Sequence, residues 1–144
     1  MINIKPVKKG DLLKLIQIEK DVFNYSLSIK EFENYFYEDT IKIWKVLNRK
    51  IIGFVSFYHV KDEIEIIQLC IIKPHQRKSY GSLVMNKIKK LTHIKKIFLE
   101  VSIENSQAIN FYLKNGFKKI GIRKAYYKGN KKRIDALRLL FEFQ

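Results

Sequence analysis

Residues 63–91, which read EIEIIQLCIIKPHQRKSYGSLVMNKIKKL, decide the fold. The first ten of them, 63–72, are apolar and rich in isoleucine, which predicts a strand near the centre of a sheet. From about residue 80 to residue 91, apolar side chains recur at helical spacing. A short basic loop, 76–81, connects the two patterns. The stretch therefore predicts a strand, a loop, and a helix whose N-terminus adjoins that loop.

The loop QRKSYG, residues 76–81, allows two interpretations. Backbone amides at the start of a helix, assisted by basic side chains, form a site for phosphate groups. Loops of this kind favour glycine, and this one has only Gly81, with Ser79 where a second glycine would fit. A solvated basic turn between strand and helix is the alternative. The loop alone does not decide between them.

The rest of the chain also alternates between strand and helix patterns. Ser28 and Glu31 have the spacing of a capping box at a helix start. Asn105 or Ser106 can cap another helix, which Gly116 can end. The predicted strands cover residues 2–7, 41–47, 50–60, 63–72, 95–103, 117–127 and 133–143, the predicted helices cover 10–23, 28–37, 80–91 and 105–116, and turns are expected at 48–50 and 128–130. The order β-α-α-β-β-β-α-β-α-β-β predicts a mixed α/β protein with a single domain over residues 1–144.

The composition predicts a soluble cytoplasmic protein with no membrane partner. Hydrophobic residues make up 47% of the 144 residues, yet none of the apolar runs has the length of a membrane span. Residues 1–11, MINIKPVKKGD, lack the apolar segment of a signal peptide. Cys70 is the single cysteine, so a disulfide framework is not expected.

The formal net charge of +15 is strongly basic and comes from 24 lysines and 5 arginines. An excess of lysine beside 22 isoleucines fits a coding bias toward A and T, because a functional basic patch more often uses the guanidinium of arginine. The charge still favours encounter with RNA, ribosomes or phosphorylated cofactors. It does not choose among them.

Common catalytic and metal-binding motifs are missing from the sequence. There is no Walker loop, no G-x-G-x-x-G, and no Cys/His cluster with zinc spacing. His59, His75 and His93 stand apart, so each is interpreted as a surface or packing histidine. Cys70 lies in an apolar strand and is interpreted as a small buried hydrophobic residue.

Two stretches after the loop carry a resemblance to a known family. Residues 99–117 read LEVSIENSQAINFYLKNGF, and residues 123–136 read RKAYYKGNKKRIDA. With the loop, they resemble the GNAT acetyltransferase superfamily, whose patterns are a Q/R-x-x-G-x-G/A loop, an L-E-V-x-x-x-N-x-x-A-x-x-x-Y-x-x-x-G-F segment and, in peptide N-terminal acetyltransferases, an R-x-x-Y-Y…D-A ending. The matching positions beyond the loop are Leu99, Glu100, Val101, Asn105, Ala108, Tyr112, Gly116, Phe117, Arg123, Tyr126, Tyr127, Asp135 and Ala136. The resemblance covers essentially the whole chain.

The resemblance implies a fold and an acetyl donor. The fold is a central, mostly antiparallel sheet of about seven strands flanked by about four helices. The donor is acetyl-CoA, without a metal; its pyrophosphate would bind the loop and its pantetheine arm would lie beside the fourth strand. The positions assigned to it are Leu69, Cys70, Ile71, Arg77, Lys78, Ser79, Tyr80, Gly81, Ser82 and Asn105. A helix cap is the alternative role for Asn105.

Acetyl transfer to an amine needs a base for the amine and a proton for the departing thiolate. The resemblance assigns the base to Glu100, which interrupts an apolar strand, and the acid to Tyr112, twelve residues later. The alternative for Glu100 is a carboxylate that faces solvent from the strand. The alternative for Tyr112 is an aromatic side chain on the core-facing stripe of its helix.

The same resemblance suggests residues that face the acceptor. Tyr126 and Tyr127 would line a peptide groove, because a tyrosine combines apolar area with a hydrogen-bonding group. Phe23 and Tyr25 are further candidates that could equally form a hydrophobic staple for the second helix.

The predicted activity is transfer of acetyl to the N-terminal α-amine of a protein, specifically the N-terminal alanine of a small-subunit ribosomal protein. One alternative is a GNAT enzyme that acts on a small amine or a lysine side chain. Another is a non-catalytic module that binds ribosomes or RNA through its positive charge.

Overall fold

Helices and strands follow the predicted order in the computed structural model, which describes residues 1–23, 28–128 and 133–144, without the side chains of 127 and 128. The strands are β1 (Asn3–Pro6), β2 (Ile41–Asn48), β3 (Lys50–Val60), β4 (Glu63–Ile71), β5 (Lys96–Ser102), β6 (Lys118–Lys128) and β7 (Arg133–Glu142). The helices are α1 (Leu12–Phe23), α2 (Ile29–Tyr37), α3 (Tyr80–Lys89) and α4 (Ser106–Lys114), and 3₁₀ helices span Lys9–Asp11 and Lys73–His75. The predicted turn at 128–130 lies mostly outside the described residues.

The strands form a seven-stranded sheet in the order β1-β2-β3-β4-β5-β7-β6. The pairs β1/β2, β2/β3, β5/β7 and β6/β7 are antiparallel. The predicted mixed α/β fold, with a central sheet and four helices, is confirmed. The chain forms two compact units, residues 1–60 with 66–91 and residues 61–65 with 92–144, so β4 contributes residues to both.

The predicted caps set the ends of several helices. The Ser28 hydroxyl accepts a hydrogen bond from the Glu31 amide, and the Glu31 carboxylate accepts one from the Ser28 amide, both at 3.1 Å. Asn105 Oδ1 accepts from the Ala108 amide at 3.1 Å and so caps α4. Gly116 follows that helix with φ +93°, a conformation that glycine adopts without strain.

The first unit buries the apolar faces of α1 and α2 together with residues of β2, β3 and β4. Phe32 from α2 and Phe54 from β3 are both 0% exposed, and their ring centroids lie 5.8 Å apart in an edge-to-face arrangement. Leu12, Leu15 and Ile18 come from the apolar stripe of α1 and are at most 1% exposed. Each such side chain stabilises the fold by about 1.5–3 kcal/mol through removal from water.

The second unit has its own core between β5, β7 and α4. Ile97, Leu99 and Val101 alternate along β5 and are buried, as the strand period of two requires. The Phe117 ring lies 5.5 Å from that of Tyr112 and 5.8 Å from that of Phe141. Aromatic packing therefore ties α4 to β7.

Gly53 marks a close approach within the first unit. A Cβ atom at this position would overlap the Cys70 carbonyl oxygen and would lie 3.2 Å from the Ile71 Cα. Both are backbone atoms of β4, so a side chain at 53 would have to move that strand. Glycine at position 53 of β3 thus allows the end of β4 to lie this close to β3.

Among the described residues, none of the helices combines the length and apolar character needed to cross a membrane.

Candidate active site

The loop between β4 and α3 is anchored by its first residues. After β4 ends at Ile71, the His75 amide donates to the Ile72 carbonyl at 2.9 Å. The Gln76 side chain turns back and donates from Nε2 to the Ile71 carbonyl at 2.6 Å. Backbone and side-chain hydrogen bonds therefore hold the start of the loop against the end of β4. Pro74 lies within this 3₁₀ turn.

Two loop residues adopt the left-handed backbone conformation that glycine favours. Arg77 has φ +60° and Ser79 has φ +65°. This conformation costs an L-residue roughly 1–2 kcal/mol relative to the right-handed one. Ser79 is the N-cap of α3, yet within the described part of the chain its hydroxyl makes no capping hydrogen bond to that helix. Anion-binding nests use left-handed residues to direct successive amides to one point, so the loop has backbone features of such a nest.

The basic side chains of the loop are accessible. Arg77 and Lys78 are exposed, whereas Tyr80, Gly81 and Ser82 in the first turn of α3 are half-buried. Two cations beside the N-terminus of a ten-residue helix favour a polyanion such as a pyrophosphate. Contact between these residues and acetyl-CoA stays a prediction.

The β4 residues assigned to the pantetheine arm are more buried than those of the loop. Cys70 is 1% exposed and Ile71 is 9% exposed, while Leu69 is half-buried. Burial raises the pKa of the Cys70 thiol strongly, and the nearby Glu19 carboxylate raises it further. The thiol therefore stays protonated at neutral pH, and Cys70 acts as the small hydrophobic residue that the sequence indicated.

Glu19 is a buried carboxylate whose role the sequence analysis did not identify. It lies on the apolar stripe of α1, is 0% exposed, and accepts a hydrogen bond from the side-chain amide of Gln68 on β4. A buried charge is costly unless it is hydrogen-bonded, so this contact favours a fixed position of α1 on β4. The sequence did contain a signal for this buried role, because Glu19 is a carboxylate at a core-facing position of α1.

Glu100 occupies the middle of β5 and is held by two arginines. Its side chain is 11% exposed, its Oε1 accepts a hydrogen bond from Arg123 Nη1 at 3.1 Å, and the same oxygen forms an ion pair with Arg138 Nη1 at 3.3 Å. Glu100 lies directly opposite Arg138 in the β5/β7 register. These contacts disagree with the alternative of a solvated strand carboxylate. They give the carboxylate a fixed orientation, as a catalytic base requires, while the base role itself stays a prediction.

Arg138 is a site residue that sequence reasoning missed. It stands in the otherwise apolar run ALRLLF of β7, and its guanidinium also lies 5.8 Å from the centre of the Phe98 ring. A lone arginine in an apolar strand needs a partner, and this was the signal in the sequence. Its partner could not be identified from the sequence, because the register between β5 and β7 does not follow from the sequence of either strand alone.

Tyr112 lies on α4 and is 8% exposed. Its ring packs edge-to-face against Phe111 at 5.1 Å and against Phe117 at 5.5 Å between ring centroids. This is the packing expected of a core aromatic residue, and it also restricts the ring to a defined orientation. The acid role of Tyr112 stays a prediction. The cap formed by Asn105 confirms its structural role and leaves its contact with acetyl-CoA as a prediction.

The residues assigned to the acceptor differ in their surroundings. Tyr126 is 42% exposed, and the Arg123 guanidinium lies 4.1 Å from its ring centre. The backbone of Tyr127 pairs with Ile134, but its predicted contact concerns a side chain outside the described part. Phe23 ends α1 and packs against the core of the first unit, and both its contact with the acceptor and its role as a staple stay predictions. Tyr25 lies outside the described residues.

No group of three or more His, Cys, Asp or Glu side chains within residues 1–23, 28–128 and 133–144 is arranged to hold a metal ion.

A family model described as "Acetyltransferase (GNAT) family" matches residues 12–117. The chain is 28% identical over 130 residues to the [ribosomal protein bS18]-alanine N-acetyltransferase of Haemophilus influenzae, and the match covers 88% of each protein.

Two solved structures superpose on the full length of the chain. The crystal structure of the ribosomal-protein-S18-alanine N-acetyltransferase of Escherichia coli matches with a TM-score of 0.89 and 25% identity, over 99% of this chain and 94% of that one. The Arabidopsis thaliana NAA60 structure in complex with acetyl-CoA matches with a TM-score of 0.88 and 18% identity, over 99% of both chains. At that identity, the second likeness shows the fold alone.

Proposed function

Because the chain belongs to the acetyltransferase (GNAT) family, which uses acetyl-CoA, we propose that its acceptor is the N-terminal α-amine of a protein. The specific acceptor that we infer is the N-terminal alanine of a small-subunit ribosomal protein. The observation that carries the proposal is the Glu100 carboxylate, fixed by Arg123 and Arg138 in an apolar strand, with Arg123 also stacked on the exposed Tyr126. One arginine thus contacts both the inferred base and a residue assigned to the acceptor.

The reaction defines what the side chains have to do. The amine nitrogen forms a bond to the acetyl carbon, the carbon–sulfur bond breaks and the thiolate gains a proton. An α-amine titrates at about pH 8, so a large fraction is an ammonium ion at neutral pH, and it has to lose two protons, one before the nitrogen attacks and one as the amide forms. The second passes to the solvent, and a base must accept the first. Glu100 is assigned this step, directly or through a water molecule. Tyr112 is assigned the proton for the thiolate.

The donor is assigned to the first unit. The left-handed residues Arg77 and Ser79, the accessible cations of Arg77 and Lys78, and the N-terminus of α3 support binding of the pyrophosphate. Gln76 and Gly53 support a fixed position of the end of β4, where the pantetheine arm is assigned. Acetyl-CoA bound there would supply the activated thioester.

The acceptor assignment rests on Tyr126 and on the relatives. Two similar proteins, from Haemophilus influenzae and Escherichia coli, carry names that specify the alanine of ribosomal protein S18. An exposed tyrosine on an edge strand can contact an extended peptide with both its ring and its hydroxyl. The net charge of +15 favours encounter with the ribosome, where such a protein assembles.

The test is thiol release from acetyl-CoA with three acceptors and a reaction without acceptor as the control. The acceptors are a peptide with a free N-terminal alanine and no lysine, a peptide of otherwise matched sequence with a blocked N-terminus and one internal lysine, and spermidine. We expect activity with the free α-amine alone. Turnover with the blocked lysine peptide or with spermidine, and none with the free α-amine, would contradict the proposal. Mass spectrometry of ribosomal proteins from cells with and without the protein then identifies the acceptor.

A further inference from the structure

The strand β6 is interrupted where the acceptor residues lie. Arg123 pairs with Ala136 and Tyr127 pairs with Ile134, so three residues of β6, 124–126, lie opposite the single residue Asp135 of β7. We call residues 124–126 the β6 bulge. Bulges bend a strand and redirect its side chains, and they are common beside active sites. Tyr126 is the last residue of this bulge.

The bulge contains a backbone conformation that its own sequence does not favour. Ala125 has φ +55°, in the left-handed region where alanine lacks the freedom of glycine. A conformation of this kind persists only where the surrounding structure holds it. The neighbouring contacts of Ala125 therefore decide the path of β6.

Asp135 supplies that contact. Its Oδ1 accepts a hydrogen bond from the Ala125 amide at 2.7 Å, a short bond between a carboxylate and an N–H. The Asp135 carbonyl oxygen accepts from the Ile103 amide at 3.1 Å, at the end of β5. Asp135 is half-buried and is followed by Ala136, which is 0% exposed. One residue thus connects the β6 bulge to the strand that carries Glu100.

Arg123, just before the bulge, contacts both Tyr126 at the end of the bulge and Glu100 on β5. The Arg123 guanidinium lies 4.1 Å from the centre of the Tyr126 ring and donates to Glu100 at 3.1 Å. This stacking requires β6 to depart from regular strand geometry between the two residues, which the bulge accomplishes. A straight β6 would direct Arg123 and Tyr126 to opposite faces of the sheet, because they are three residues apart.

We propose that Asp135 is a positioning residue for acceptor binding: by holding the β6 bulge, it keeps Tyr126 against Arg123 and Arg123 against Glu100. The inference rests on the proposed function for the identity of the acceptor. It adds a specificity element that lies outside the catalytic pair. Asp135 acts through the backbone of Ala125 and touches neither of the assigned catalytic side chains in the contacts given above.

The experiment uses substitutions on both sides of the hydrogen bond. Asp135→Ala removes the carboxylate that accepts the hydrogen bond, and Asp135→Asn keeps an oxygen atom that can accept it. Ala125→Pro removes the backbone N–H that donates it and also imposes a negative φ. Asp11→Ala is the matched control, since Asp11 Oδ2 also accepts from a backbone amide, that of Lys8 at 2.8 Å, in the first unit. For each variant we measure kcat and KM for both substrates, the melting temperature, and the hydrogen-exchange rate of the Ala125 amide where that amide is present.

We expect Asp135→Ala and Ala125→Pro to raise KM for the α-amine peptide about tenfold or more, with KM for acetyl-CoA within about twofold of wild type. Asp135→Asn should remain close to wild type, and Asp11→Ala should lower the melting temperature without changing the peptide KM. The Ala125 amide should exchange much faster in Asp135→Ala than in wild type and Asp135→Asn. Hydrogen exchange is measured without an acetyl acceptor. The exchange result therefore tests the role of Asp135 even if the proposed function is wrong.

Three results would overturn the inference. One is an equal change of KM for peptide and acetyl-CoA, which indicates general destabilisation. Another is an Asp135→Asn variant as impaired as Asp135→Ala, which shows that the charge and not the hydrogen bond matters. The last is unchanged exchange at Ala125. If wild type acetylates another amine, the proposed function is wrong, and the KM for that amine replaces the peptide KM in the same comparison.

Discussion

At the scale of single residues, Glu100 and Tyr112 are both fixed, but by different forces. Ion pairs with Arg123 and Arg138 hold the carboxylate, whereas aromatic packing holds the tyrosine ring. We predict that Glu100→Gln and Tyr112→Phe each slow turnover by roughly 10²–10⁴-fold, the range for general acid–base groups. Both changes conserve size, so acetyl-CoA affinity should change little. Steady-state kinetics and calorimetry measure the two quantities.

Phe111→Leu is the control for the Tyr112 variant, because it alters packing beside that ring without removing a hydroxyl. It should retain turnover within about tenfold of wild type, since it removes no acid–base group. Wild-type turnover in both Glu100→Gln and Tyr112→Phe would show that neither residue transfers a proton. Loss of acetyl-CoA binding would instead point to a structural effect.

Cys70 gives a pH-dependent prediction. Burial and the Glu19 carboxylate raise the thiol pKa in the folded protein above its unfolded value near ~8.5. The stability linked to Cys70 is therefore fully present below about pH 8.5 and is lost as the pH rises, because only the unfolded chain then releases the proton. Relative to Cys70→Ala, wild type should lose about 1.4 kcal/mol of unfolding free energy per pH unit between roughly pH 9 and 10. Urea unfolding of both proteins at these pH values measures the difference, and a constant difference would contradict the assignment.

At the scale of elements, local patterns were predicted well and long-range contacts were not. The capping box at Ser28 and the cap at Asn105 were predictable, because each involves atoms three residues apart. The contact of Glu19 with Gln68 spans 49 residues and depends on how α1 packs on β4. The arginines around Glu100 depend on strand register, which neither β5 nor β7 encodes alone.

Helix boundaries and strained backbone conformations were also not predicted from the sequence. The periodic pattern extended the third helix to Leu91, whereas α3 ends at Lys89 and the Leu91 amide forms an i→i−3 bond to Ile88 at 3.0 Å. Residues other than glycine that adopt the left-handed conformation, such as Ser79 and Ala125, cannot be recognised by their residue type. Their conformations are imposed by neighbouring structure, so sequence patterns could not reveal them.

The start of α3 is where Ser79 can be tested. Ser79→Gly should stabilise the fold by roughly 1 kcal/mol, because glycine removes the cost of a positive φ. Its acetyl-CoA affinity should change only modestly, since a phosphate cradle works through backbone amides. Ser79→Phe should weaken binding much more by filling the space of the pyrophosphate. Calorimetry on both variants compares the affinities, and a phenylalanine variant that binds as tightly as wild type would exclude this loop from pyrophosphate binding.

At the scale of the whole molecule, acetyl-CoA should stabilise the fold. A ligand that binds only the native state adds about 2.7 kcal/mol at 100 times its dissociation constant. We therefore expect a clear rise in melting temperature at millimolar acetyl-CoA and a smaller one for Ser79→Phe at the same concentration. Equal rises for the two proteins, or none for wild type, would argue against binding at the assigned positions.

Gly53 has a consequence for how this protein would respond to random mutagenesis. In a growth selection that scores activity, every substitution at position 53 should be depleted as strongly as those at Glu100, although the glycine takes no part in the reaction. The reason is geometric, because any Cβ there displaces the backbone of Cys70 and Ile71. A map of positions that do not tolerate substitution would thus include Gly53, which only provides space for β4, together with the positions assigned to catalysis. Excess acetyl-CoA in the assay should restore activity to variants at position 53 but not to variants at Glu100. The reason is that a shifted β4 weakens binding of acetyl-CoA, whereas loss of the assigned base does not.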